Sequence, residues 1–159
     1  MQLNHLSLTN YRAFTRLDMD VPGRILLLQG NNAQGKTSLL EAIYFFSTFT
    51  SIQASSDRQL INFSNLNQPL SVARMVADIE KAGKNQKIEV RLILEKNNMN
   101  EGGRFRKEIL VDGAKRSAQQ AVTHFNAVIF LPQMTRIIEG GPDEKRRYLN
   151  LAIAQIIPG

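Results

Sequence analysis

The spacing of apolar and polar positions changes along the chain, and each change marks an expected element. Leu3, Leu6 and Leu8, separated by polar residues, predict a first strand, and residues 10–14 a bend. Residues 19–21 lead through the Pro22-Gly23 turn into the apolar run 25–29, which predicts an early hairpin ending in a buried strand. Residues 37–49 place Leu39, Leu40, Ala42, Ile43, Tyr44, Phe45, Phe46 and Phe49 on nearly every face of a helix, the pattern of a helix packed on several sides. The Ser-, Asn- and Gln-rich stretch 50–70 reads as a loop enclosing a short helix at 57–61. Strands follow at 71–80, 87–95 and 105–111. Charged residues alternate with Ile, Val and Leu in 87–95, the mark of a sheet with one wet face. Residues 96–103 form the hairpin tip, and Asp112-Gly113 turns the chain after the third strand. A short helix at 117–123, a buried strand at 127–131 and a last helix opening at Pro142 complete the chain. Asp143 and Glu144 suit that helix's first turn, and Leu149, Ala152, Ile153 and Ile156 recur at helical spacing.

Between the run 25–29 and the helix at 37 lies Gly30-Asn31-Asn32-Ala33-Gln34-Gly35-Lys36-Thr37, a full match to the phosphate-cradling pattern G-x-x-x-x-G-K-S/T. A strand delivers such a loop, and the helix behind it presents unpaired N-terminal amides and a positive dipole end to an anion. Gly30 and Gly35 allow the tight backbone. Lys36 places an ammonium between β- and γ-phosphates, the Thr37 hydroxyl is the expected Mg²⁺ ligand, and Ser38 adds a further N-terminal amide. A lysine at a helix start opposes the dipole, and a bound phosphate resolves that conflict.

Composition narrows the classes. The 159 residues make one domain or a piece of one, 43% apolar, with no cysteine and only two histidines. That excludes a disulfide framework and a cysteine zinc site. No apolar run reaches a membrane span and residues 1–20 hold no signal pattern, so a soluble, cytoplasmic protein is expected. The net charge is +6, and residues 71–120, with 11 basic and 7 acidic side chains, carry four of the six. Lys84, Lys87, Arg104, Arg106, Lys107, Lys115 and Arg116 are the candidate DNA-backbone contacts there, beside the alternative of a solvated strand face. A P-loop ATPase also needs a second strand ending in a carboxylate. Asp78 imitates one, but Ile79 and Glu80 continue its alternation, so it reads as an outward strand residue and the catalytic half as absent.

Three segments in order resemble the N-terminal half of the RecF family, SMC-like ABC-type ATPases of bacterial recombinational repair. They are residues 6–14 (LSLTNYRAF), 30–43 (GNNAQGKTSLLEAI) and 128–149 (VIFLPQMTRIIEGGPDEKRRYL). The resemblance implies an α/β fold: the N-terminal lobe of an ABC/SMC-type ATPase head, a mixed sheet around the P-loop helix with an antiparallel β meander. Residues 1–64 are then the P-loop subregion, 65–116 the meander and 117–159 a Q-loop-like strand and last helix. A C-terminal half with signature and Walker B motifs lies outside. By the same resemblance Arg12 contacts the nucleotide, and Gln133 holds the place of a glutamine that touches Mg²⁺ and the attacking water. RecF proteins more often show Ser-Pro-Glu around that position, a departure here. Arg146 and Arg147 match a pair read as structural rather than DNA-contacting.

The function so implied is ATP- and Mg²⁺-dependent pairing of two heads into a homodimer, binding of DNA near gaps, and work with RecR and RecO in loading RecA. The fragment alone is expected to be inactive. An SMC-type head is the nearest alternative, followed by a transporter ATPase, whose glutamine usually lies nearer the P-loop than the 97 residues from Lys36 to Gln133. A small-molecule kinase would instead show a lid and arginines for a second phosphate substrate.

Overall fold

The computed structural model describes residues 1–66, 68–96, 103–132 and 141–157. Strands β1 (Gln2–Tyr11), β2 (Phe14–Asp20), β3 (Leu70–Lys81), β4 (Lys84–Glu95), β5 (Arg104–Val111) and β6 (Ala114–Arg116) form one sheet of order β2-β1-β3-β4-β5-β6. Every pair in it is antiparallel. Helix α1 (Lys36–Thr48) crosses one face, and α2 (Ala118–Ala121) and α3 (Pro142–Ala154) follow the sheet.

Alternation decides which face is dry. Leu6, Leu8, Met75, Ile79, Ile88, Val90 and Leu92 point to one side and are fully or almost fully buried against Phe45, Phe46 and Phe49 of α1 and its end. The long strands β3 and β4 pair along their whole length and turn through Ala82 and Gly83, with φ of +52° and +74°. Asp112 and Gly113 (φ +50° and +80°) make the corresponding turn between β5 and β6, as the sequence predicts.

Three expectations change. The hairpin expected through Pro22-Gly23 does not form among the described residues; the bend expected at residues 10–14 is instead the hairpin turn, β2 folding back on β1 through Arg12 and Ala13 with Tyr11 opposite Phe14 and His5 opposite Asp20. Alternating Leu17 and Met19, packed against the core, recruit residues 14–20 as a strand in their own right, leaving no partner for 25–29. That run is extended but joins no ladder among the described residues, and Ile25 and Leu27 are 89% and 84% exposed. The run 127–131 behaves alike, with Val128 and Phe130 at 93% and 83%. Both have strand sequences without a neighbouring strand among the described residues, and a strand exists only as a pair. The predicted hairpin tip lies mostly outside the described residues.

On the wet face, ion pairs replace apolar contacts. Arg74 forks onto Glu89 with two bonds of 2.8 Å, and Arg91 Nε adds a third at 2.6 Å. The Arg74 hydrogen bonds lead in holding the Glu89 carboxyl down to about 2, with Arg91 adding to them. A carboxyl depressed in the folded state stabilises it above the unfolded-chain value of 4.5, and the gain disappears as the pH falls towards 2. Glu89→Gln is therefore expected to lower the melting temperature at pH 7. The gap from wild type should close as thermal melts are taken from pH 4.5 to pH 2; a gap constant with pH would contradict the assignment.

Candidate nucleotide-binding site

The P-loop emerges from the exposed run 25–29 and closes on α1. Gly35 caps the helix in left-handed conformation, φ +91°, and a β-carbon there would lie 2.8 Å from the Phe14 ring. Glycine is therefore required twice, by φ and by the approach of β2. The first helical bond runs from the Leu39 amide to the Gly35 carbonyl at 2.9 Å. The amides of Lys36, Thr37 and Ser38 thus precede the helical ladder and are available to an anion.

Within the loop, Lys36 Nζ donates to the carbonyls of Gly30 (2.7 Å) and Asn31 (2.6 Å). Gln34 folds back so that its Oε1 accepts from the Asn31 amide at 3.0 Å. A β-carbon at Gly30 would collide with that Gln34 oxygen at 2.3 Å. Asn31, Asn32, Ala33, Gln34 and Thr37 line the loop at its open side, and Ala33 adopts φ +64°. The result is an open concave loop whose ammonium is already drawn over it, a geometry that fits polyphosphate oxygens. For Mg²⁺ the described residues offer the Thr37 hydroxyl and no cluster of three His, Asp or Glu. A single hydroxyl fits a cation held mainly by phosphates and water.

Arg12 sits at the β1–β2 turn and meets α1 from the side. Its Nε and Nη2 each donate to Glu41 at 2.9 Å, and Nη1 reaches the Gln59 carbonyl at 3.4 Å. Burial works against the Arg12 charge, but the hydrogen bonds and charge of Glu41 outweigh it and hold the guanidinium above its ordinary range. Asn10 and Arg12 both take left-handed φ, +53° and +50°, a conformation that costs about 1 kcal/mol or more in a non-glycine residue. The surroundings fix them: the Arg12 amide donates to the Leu60 carbonyl at 2.7 Å, and the Asn62 amide to the Asn10 carbonyl at 2.8 Å. Asn10 Nδ2 adds a bond to the Val72 carbonyl at 3.2 Å. The neighbouring Tyr11 hydroxyl is buried close to the Arg12 guanidinium, without a hydrogen bond of good geometry. Burial, with Glu41 nearby, raises its pKa far above the usual phenol value.

Sequence reasoning does not single out Glu41. Its signal is a lone acid inside an otherwise apolar helix, and the structure buries it to 2% exposure. Ser51 Oγ donates to its Oε1 at 2.5 Å. Arg147 of α3 donates to the Ser51 carbonyl at 3.0 Å, so this arginine is structural, through a carbonyl rather than a salt bridge. Arg146 makes an exposed contact with Asp143 at 3.4 Å. Gln133 lies outside the described residues. Asp78 is an outward strand residue paired with Lys87 at 3.6 Å, as its alternation predicts.

The candidate DNA contacts divide. Lys107 is removed from the set: its Nζ turns inward to the Phe49 carbonyl (2.6 Å) and Asp57 (2.7 Å), 5.5 Å above the Phe45 ring. Its position in β5 shares the dry face, where a lysine persists only when paired. Arg106 pairs with Glu95 at 3.1 Å and Lys115 with Glu108 at 3.1 Å. Lys84, Arg104 and Arg116 are exposed.

Comparison with known proteins agrees with this geometry. Residues 1–121 match the family model described as an AAA ATPase domain. The "DNA replication and repair protein RecF" of Roseiflexus castenholzii is 35% identical over 98% of this chain and 41% of that protein. The protein of the same name from Chloroflexus aggregans is 32% identical over 99% and 41%. A solved structure of "the recombination mediator protein RecF-ATP in RecFOR pathway" superposes with TM-score 0.78 at 29% identity, over 98% of this chain and 40% of that one. The chain spans about two-fifths of the length of the relatives it matches. With its P-loop opening a helix and its head-like sheet, the chain belongs to the AAA ATPase domain family and is homologous to the N-terminal portion of RecF.

Proposed function

We propose that this chain is the ATP-binding portion of a RecF-type DNA replication and repair protein. The observation that carries the reading is the loop itself: Lys36 drawn over an open cradle in front of three amides outside the helical ladder. ATP is held there by the backbone of residues 30–35, by Lys36 and by the amides of Lys36, Thr37 and Ser38. Thr37 contributes one ligand to a phosphate-bound Mg²⁺, and Arg12 adds positive charge beside α1. Gln133 is the proposed water- and metal-positioning group. Bound Mg²⁺ would neutralise charge on the β- and γ-phosphates.

Hydrolysis also needs a carboxylate at a second strand and a partner segment to stabilise the departing γ-phosphate. Both are proposed to come from further polypeptide, with two heads pairing as a homodimer around ATP. The organisation 1–64, 65–116 and 117–159 remains part of this proposal. Exposed Ile25, Leu27, Val128 and Phe130 support it, since two uncovered strand-like runs await a partner. Ile153, Ile156 and Ile157 around the end of α3 are likewise uncovered. The whole protein would then hold DNA near gaps through backbone phosphates and act with RecR and RecO in delivering RecA, in the cytoplasm.

Lys36→Ala is expected to lower ATP affinity at least tenfold by calorimetry on the whole protein, with the far-ultraviolet dichroism of the fold unchanged and ATP-dependent pairing abolished. Unaltered affinity would remove Lys36 from the site. On DNA, neutralising Lys84, Arg104 and Arg116 together should weaken binding to unrelated duplexes equally. It should also flatten the logarithmic salt dependence by roughly 0.9 for each DNA phosphate that the protein no longer neutralises. A wild-type slope would assign these three charges to solubility.

A further inference from the structure

Glu41 lies one helical turn behind Thr37, roughly 6 Å along the axis of α1. Its side chain is 3% exposed and Arg12 is its cationic partner. A buried carboxylate at that distance repels a triphosphate, so its presence in this helix needs an explanation. The bonding pattern supplies one. Arg12 is gripped side-on, through Nε and Nη2, while Nη1 makes a long 3.4 Å contact to Gln59 and the Tyr11 hydroxyl lies close to the guanidinium. A guanidinium carries five donor hydrogens in a rigid fork. Gripping one edge leaves the opposite Nη1/Nη2 edge able to meet an anion in fixed orientation.

Glu41 is itself clamped. Ser51 Oγ accepts from the amides of Gln53 (3.1 Å) and Ala54 (2.7 Å), so its own proton is committed to Glu41 at 2.5 Å. The Ser51 carbonyl in turn receives Arg147 from α3. A continuous chain of bonds thus joins α3, the loop after α1, α1 itself and the turn carrying Arg12.

We propose that Glu41 is a positioning residue for nucleoside triphosphate binding, holding Arg12 side-on so that its free edge serves the phosphates. The inference rests on the reading of Arg12 as a nucleotide contact.

The test is ATP affinity of the whole protein, by calorimetry with Mg²⁺, in Glu41→Gln, Arg12→Ala, Arg12→Lys and the double variant Arg12→Ala/Glu41→Gln. Glutamine keeps the shape and removes a negative charge near the triphosphate. If Glu41 were only structural, ATP would bind as before or more tightly. As a positioning residue its replacement weakens ATP about tenfold, the size of one charge-assisted hydrogen bond. Arg12→Lys, which keeps the charge and removes the fork, weakens ATP similarly, and the double variant is no weaker than Arg12→Ala. Wild-type or tighter binding by Glu41→Gln, with Arg12→Ala weakened, overturns the positioning role and leaves the Arg12 contact standing. Unchanged binding by Arg12→Ala overturns both. Should Glu41→Gln fail to fold, Arg12→Lys decides alone, since undiminished affinity without the fork refutes the proposal.

Discussion

Helix α1 must be buried on most of its surface while its first turn stays open to an anion, and this single constraint organises the molecule. Phe45, Phe46 and Phe49 demand apolar cover, which the dry face of the sheet provides. At its opposite end the helix begins without a side-chain cap, on left-handed Gly35. Without a side-chain cap those amides are left for an anion, in keeping with the proposed phosphate site. The β1–β2 hairpin mediates between the two ends. Phe14 at the start of β2 closes against Gly35 while Arg12 in the turn reaches Glu41, so one hairpin end touches both the loop and the helix flank.

Charge follows the same logic of position over composition. A net +6 suggests a phosphate-binding surface, yet much of the basic surplus is engaged within the fold. Arg74 and Arg91 converge on Glu89, Arg106 meets Glu95, and Lys107 ties β5 to the loop after α1. An exposed pair such as Arg106 with Glu95 contributes little stability, but together these contacts set which cations remain for a polyanion. Clustering along the sequence could not reveal this, because alternation sends Lys107 and Arg106 to opposite faces of one strand.

Elements carrying their own turn chemistry are legible from residues alone. The β3, β4 and β5 strands, the Asp112-Gly113 turn, the P-loop and the helix behind it appear where period and punctuation place them. The bend at residues 10–14 is legible, but not that it closes a hairpin, because no glycine marks it; Arg12 takes the left-handed conformation instead, held by tertiary bonds. Glu41 escapes it for a related reason. A single acid in an apolar helix is uninformative until its partner, 29 residues earlier in the chain, is brought beside it.

The runs 25–29 and 127–131 show the limit of local reading most clearly. Their Ile, Leu, Val and Phe residues specify strands, yet apolar side chains remain exposed on backbone without a ladder. Covering one such side chain fully is worth about 1.5–3 kcal/mol, and pairing the backbone adds to that. A neighbouring strand would gain both terms at once and would also fix the residues that enter Gly30. A partner strand that fixed residues 25–29 would also fix the loop they enter, and an anion bound at the loop would favour the same pairing. On the proposed function, sheet completion and ATP binding would be coupled through this short run of backbone, and such a coupling would act equally in both directions.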